Sequence, residues 1–189
     1  VRRRSGPWKI YERDRWEPRW GVTGRLQTAL GSSRGNDVEM GGFGLGVRYR
    51  PAPYFALELG ADFLFGTDWH GRERRETAFS GSALVYFNPQ SPVQLYLPVG
   101  LHGSMARVQF ETPDGVRGAD YGYFGGHAGI GAEIRLGSSV ALPIELLGFL
   151  RARTDGAARR SPEFVDERTN LVTNTSGGGL LRAGIVVYW

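Results

Sequence analysis

A period of two runs along most of this chain, and it restricts the chain to strands. The stretch YFALELGADFLFG, Tyr54 to Gly66, sets Phe55, Leu57, Leu59, Ala61, Phe63 and Phe65 on one face. Ala56, Glu58, Gly60 and Asp62 fall on the other. A helix would bring the two acids together, four residues apart, yet would spread the apolar residues around the whole cylinder. A strand sorts them into two faces that meet very different solvents.

The pattern recurs in eight segments, at about Trp20–Leu30, Glu39–Arg50, Tyr54–Gly66, Thr77–Phe87, Val93–Phe110, Tyr121–Leu136, Val140–Arg153 and Gly178–Trp189. Short connections rich in turn formers fall at Pro51–Pro53, Asn88–Pro92 and Gly137–Ser139. Longer polar ones fall at Gly66–Glu76, Glu111–Asp120 and Asp155–Thr173, with a modest one at Gly31–Asp37. Short turns at one end and long loops at the other predict an all-β fold, an eight-stranded antiparallel up-and-down transmembrane β-barrel. Ten tilted residues rise roughly 25 Å, the height of an outer-membrane apolar band. Aromatic residues are expected in girdles at the two interfaces. Trp20, Tyr49, Phe55, Phe87 and Tyr188 would form the one at the turn end, and Phe65, Trp69, Phe79, Phe110 and Tyr121 the one at the loop end.

Composition is consistent with this. Glycine, at 29 residues, is about twice as frequent as the usual 7%, which suits turns and a crowded barrel interior. No apolar run approaches the ~18 residues of a spanning helix. A slightly negative mean hydropathy is compatible with a barrel, because only half of each strand must be apolar.

The polar face decides which side is inside. It is sparse, glycine-rich and charged with both signs, whereas a soluble ligand-binding barrel would carry a solvated polar exterior. Arg25, Arg48, Glu58, Asp62, Glu133, Arg135, Glu145, Arg151 and Arg182 are therefore expected to form a charge network in the lumen. Facing lipid at mid-depth, each cation would cost roughly 2–4 kcal/mol. A barrel of this size is just wide enough for side chains to fill, so the lumen is expected to be blocked or nearly so.

With these features the sequence resembles the small outer-membrane barrels of the OmpA/OmpX type, over roughly Trp20 to Trp189. The ending LLRAGIVVYW resembles the C-terminal signal read by the barrel-assembly machinery, carried here by Leu181, Ile185, Val187 and Trp189. The family more often ends in Phe than in Trp. The resemblance implies a bacterial outer-membrane location, with outer-membrane lipid, lipopolysaccharide, the assembly machinery and other envelope proteins as partners. No peptidoglycan-binding domain follows the barrel, so the anchoring role of full-length OmpA proteins is not expected.

Chemistry is scarce. Cysteine is absent, and His70, His102 and His127 lack metal-ligand spacing, so neither metal nor cofactor is expected. His102 and His127 should lie on adjacent strands, close enough to approach each other and share the network with Glu133. His102-Gly-Ser104 resembles the His-x-Ser pair of the lipid A deacylase family, also eight-stranded barrels, but the likeness stops at that tripeptide. By its register the pair points inward, away from lipid, so no catalytic residue is expected.

Residues 1–19 form a separate leader, expected on the periplasmic side of a barrel spanning 20–189. No apolar signal core follows its first arginines, so an export signal is expected to have been removed. Trp8 and Trp16 among its arginines, with Arg159, Arg160 and Phe164 in the last loop, are the candidate partner contacts. Net charge is only +4 and no nucleic-acid motif accompanies it, so no nucleic-acid partner is expected. The role expected is non-enzymatic: a structural, adhesion or complex-forming component. The alternatives are a narrow channel for ions or small solutes and, third, a lipid-modifying enzyme.

Overall fold

The alternating segments close into a ring. The computed structural model describes residues 17–30, 32–33, 36–37, 39–68, 71–112, 115–158, 164–166 and 171–189. In chain order these give β1 (Arg19–Leu30), the short β2 (Ser32–Ser33) and β3 (Asn36–Asp37), β4 (Glu39–Ala52), β5 (Phe55–Thr67) and β6 (Glu73–Tyr86). Then come β7 (Val93–Thr112), β8 (Gly115–Arg135), β9 (Val140–Arg153), the short β10 (Phe164–Asp166) and β11 (Leu171–Thr173), and β12 (Thr175–Tyr188). The eight long strands form a closed antiparallel barrel in the order β1-β12-β9-β8-β7-β6-β5-β4. The seam pairs the first strand with the last, Val22 opposite Val187 and Leu26 opposite Ala183. Trp20 and Trp189 exchange backbone bonds of 3.3 and 2.9 Å at its turn end. Closure removes every sheet edge within the barrel wall.

The outer wall is apolar. Leu26 and Leu59 are each 71% exposed and Ile130 is 61% exposed, and their nearest outward neighbours along the strand are Gly24 and Thr28, Leu57 and Ala61, and Ala128 and Ala132. The inner wall holds the charges. Two small apolar clusters complete the interior: Ala56, Leu84, Tyr86 and Tyr96, and Ala141, Val186 and Tyr188. Close packing inside depends on glycine at Gly131, where a Cβ would lie 2.5 Å from the Tyr96 ring.

Several boundaries differ from the sequence reading. β6 begins at Glu73, so four residues assigned to the loop Gly66–Glu76 belong to the wall. The expected loop Glu111–Asp120 is a continuous β7–β8 ribbon that pairs to Thr112 opposite Gly115. β12 starts three residues early, at Thr175, and the loops 31–37 and 155–173 contain the small hairpins β2–β3 and β10–β11. Beyond the apolar band the outer face also carries charged residues, as at Glu73 and Arg75. Apolar alternation then ceases although the backbone ladder continues.

The girdle assignments also need correction. Phe79 sits opposite Ala61, at the middle of β5, because β6 extends so far beyond it. Tyr188 and Tyr121 have inward parity: Tyr188 is buried in the lumen, and Tyr121 lies beneath the Arg153 guanidinium at 4.3 Å. Trp69 and the side chain of Phe110 lie outside the described residues. At the turn end Trp20 packs on Tyr49 with ring centroids 4.6 Å apart and pairs with exposed Trp189, while Phe87 is exposed just past the end of β6. Phe43 contacts Phe63 and Phe65 at 5.3 and 6.0 Å on the loop side.

Candidate functional site

The bore is crossed by a chain of ion pairs with a second group toward the loops, built because every second residue of each strand must point inward. At the turn end Glu133, on β8, has no exposed surface. Its carboxylate accepts from Arg48 at 2.7 Å, Arg135 at 2.9 Å, and the hydroxyls of Tyr86 and Tyr188 at 3.0 Å each. Arg50 lies 3.7 Å from the same carboxylate, stacked 3.9 Å above the Tyr86 ring, and donates to Gln94 at 2.9 Å. β4 and β8 lie on opposite sides of the ring, so the Arg48–Glu133 contact spans the lumen.

The chain then climbs. Arg48 also donates to Glu58 at 2.8 Å, and Glu58 accepts from Arg25 at 2.5 Å. Arg25 grips Asp62 with two bonds of 2.8 and 2.9 Å, and Asp62 accepts from Arg182 at 3.1 Å. Arg182 reaches Glu145 at 3.9 Å, and Glu145 accepts from the Tyr96 hydroxyl at 2.8 Å. Farther toward the loops Glu76 is shared by Arg74, at 3.0 Å, and Arg151. All nine charged residues singled out in the sequence therefore lie on the inner wall and meet partners there. Burying these ions is costly unless each is paired, and here the pairing is dense.

The sequence reading missed Arg50, Arg74, Glu76, Gln94 and the three tyrosines as members of the network. Parity could have found them: Arg50 follows Arg48 by two, and Arg74 and Glu76 share the face of Ser80 and Tyr86. Glu133, by contrast, stands apart from the histidines, six residues along β8 from His127, or ~20 Å at 3.3 Å per residue.

The histidines occupy the upper lumen, with ring centroids 5.7 Å apart. His127 Nε2 and Ser82 Oγ are hydrogen-bonded at 2.8 Å, a Ser–His contact the sequence did not suggest. Among the described contacts no carboxylate is bonded to either ring, whereas an activated serine also needs a third group to orient its base. The expected His102–Ser104 pair has other engagements: Ser104 Oγ accepts from Arg151 at 3.3 Å, and His102 meets the edge of Phe149 at 6.0 Å.

Around these residues is a cavity of about 300 Å³. Its polar wall includes Asp62, Arg74, Arg151 and Arg182, and its apolar wall Met40, Leu64, Phe149 and Leu180. At the mouth Arg153 donates to Asp155 at 2.5 Å. This guanidinium, with the N–H groups of Gly122 and Ala157, holds the Asp155 carboxyl down at about 2, so the loop contact persists well into acid. On the outer wall exposed pairs join Arg75 to Glu73 at 2.9 Å and Arg107 to Asp120 at 2.8 Å, near the loop end.

The C-terminal residues Leu181, Ile185, Val187 and Trp189 all face outward. Trp8, Trp16, Arg159 and Arg160 lie outside the described residues, as does the side chain of Phe164, whose backbone belongs to β10.

Solved structures share this architecture. Neisserial surface protein A aligns at TM-score 0.61 and 18% identity, covering 90% of this chain and 96% of that one. A major outer membrane protein from Thermus thermophilus aligns at 0.59 and 14%, covering 92% and 100%. Ail, the attachment invasion locus protein of Yersinia pestis, aligns at 0.55 and 11%, covering 91% and 98%. At such identities the likeness is one of fold. No curated protein matches the sequence. The family described as outer membrane protein beta-barrel domain matches residues 11–174. A closed eight-stranded barrel with an apolar outer wall and an ionic bore has one fitting solvent, and this chain belongs to that family, in the bacterial outer membrane.

Proposed function

We propose that the chain is a closed, non-enzymatic scaffold of the outer membrane, acting at the cell surface as an adhesion or complex-forming component. The observation that supports this most is the Arg48–Glu133 bond of 2.7 Å across the bore. A hydrated ion would have to displace these buried, fully engaged partners in order to pass. With transport obstructed, function falls to surfaces outside the bilayer. The β7–β8 ribbon supplies one, since Gly115 to Gly122 pair with β7 beyond the last β8–β9 pair, Tyr123 opposite Arg153.

Ail also forms a complex with the heparin analogue sucrose octasulfate. By extension, a sulfated or phosphorylated polyanion, lipopolysaccharide included, is the surface ligand we propose here. Exposed Arg75 and Arg107, with Arg159 and Arg160 by sequence, would supply the cations. Residues 1–19 would dock envelope partners through Trp8 and Trp16, and the outward C-terminal pattern would serve the assembly machinery.

The experiment is planar-bilayer recording of the purified barrel. The scaffold predicts silence. Discrete conductance steps would overturn it and favour the narrow channel.

A further inference from the structure

We propose that the cavity in the outer half of the lumen binds a small organic anion, a carboxylate carried on a compact apolar body. Room is the first argument. The cavity measures about 300 Å³, at the lower end of the ~300–1,000 Å³ common for small-molecule sites. A second void, near Pro143 and Gly184, offers about 10 Å³, space for at most one water. Of these two voids, the upper one has room for an organic guest.

Charge is the second. Apart from the Arg153–Asp155 and Arg72–Asp68 pairs, the described bore contains seven arginines (Arg25, Arg48, Arg50, Arg74, Arg135, Arg151 and Arg182) and five carboxylates (Glu58, Asp62, Glu76, Glu133 and Glu145). Three carboxylates line the cavity, and each is held by guanidiniums, Glu76 by Arg74 and Arg151, Asp62 by Arg25 and Arg182, and Asp68 by Arg72. Five arginines thus hold three carboxylates, which leaves a positive surplus, and Arg74, Arg151 and Arg182 line the void. Beside Arg182 the buried Gln27 accepts at 3.0 Å through its oxygen, while its Nε2 donor has no acceptor among the described residues. An enclosed surplus of donors and positive charge selects an anion.

The apolar wall is the third. Phe149, Leu180, Met40 and Leu64 would gain nothing from a bare inorganic ion but would bury a ring or branched chain. Gly178 keeps this wall open, since a Cβ there would lie 3.1 Å from the Phe149 ring. The head would face Arg151 and Arg182 and the body would lie against Phe149 and Leu180. Because the Arg25–Asp62–Arg182 bonds lie beneath it, the guest is held and not conducted.

Benzoate is a suitable probe, with benzyl alcohol as its uncharged counterpart and inorganic phosphate as the anion without an apolar body. The barrel is placed in detergent-free lipid nanodiscs, and the imidazole resonances of His102 and His127 are followed by NMR. Benzoate should shift them saturably, and both controls should bind at least tenfold more weakly. Arg151→Gln should weaken benzoate at least tenfold, and Ala78→Phe, which fills the void, should abolish the shift. The second variant retains every charge and serves if the first does not fold. An equal response to either control, no saturable shift with benzoate, or wild-type affinity in the folded variants would overturn the proposal. Bilayer silence is read separately, so the scaffold reading and this site can fail independently.

Discussion

Glu133→Gln is expected to destabilise the folded barrel by about 3–5 kcal/mol, the cost of leaving buried charges without their partner. Glutamine keeps the shape of the side chain but removes the charge that Arg48, Arg135 and Arg50 share. It also presents an N–H₂ group where one carboxylate oxygen now accepts from Arg48, Tyr86 and Tyr188. Glu133 is fully buried, so water cannot take the place of what is lost. Urea unfolding in lipid vesicles, read from the gel shift between folded and unfolded forms, measures the effect. The internal control is Glu73→Gln. Glu73 pairs with Arg75 at 2.9 Å on the exposed outer wall, where such a pair contributes about 0.2–1 kcal/mol. Equal losses at the two sites would contradict an enclosed network.

Leu59→Arg tests the opposite wall and should cost about 2–4 kcal/mol in the same assay, the depth-dependent price of a cation facing lipid near the midplane. Leu59 is 71% exposed, close to the middle of β5, between Val47 and Gly81 on the neighbouring strands. No carboxylate faces outward beside it, so the new guanidinium would have to bend toward an interface several residues away. The natural outward arginines obey the same rule: Arg75 and Arg107 sit near the loop end, where that cost fades, and each is beside an acid. If the barrel with Leu59→Arg unfolded at the wild-type urea concentration, the outer wall could not be facing hydrocarbon.

The two substitutions also mark what the sequence could reveal. Period two sorted Leu59 from Glu58 without any knowledge of the fold, because a strand has only two faces and here they differ in solvent. The segment read as Tyr54–Gly66 is Phe55–Thr67, and the charges of all nine singled-out residues share the bore. Strand length was legible only while the faces differed. At Glu73 to Glu76 both faces carry charge, Glu73 and Arg75 outside and Arg74 and Glu76 inside, and along Gly115 to Asp120 the apolar alternation also lapses, so wall and ribbon were read as loop.

The partners within the bore were not legible either. Glu58 finds its cross-strand neighbour Arg48, which adjacency alone suggests. Arg48 also reaches Glu133 on the far wall, a pairing set by the stagger of the closed ring and not by any spacing along the chain. The cavity escaped for a related reason. It arises where Gly178, Ala78 and Ser80 leave the bore unfilled, and its shape depends on eight strands meeting at once.

The chain contains no cysteine, so single cysteines along β5 can each carry a nitroxide without interference. Oxygen, which concentrates in hydrocarbon, and a water-soluble nickel complex then report what each position faces in lipid vesicles. Leu57, Leu59, Ala61 and Phe63 should show high oxygen access and little nickel access, while Glu58, Gly60 and Asp62 between them should be shielded from both. An inverted alternation, or nickel access at the odd-numbered positions, would contradict the assignment of the apolar face to lipid and the ionic face to an enclosed lumen.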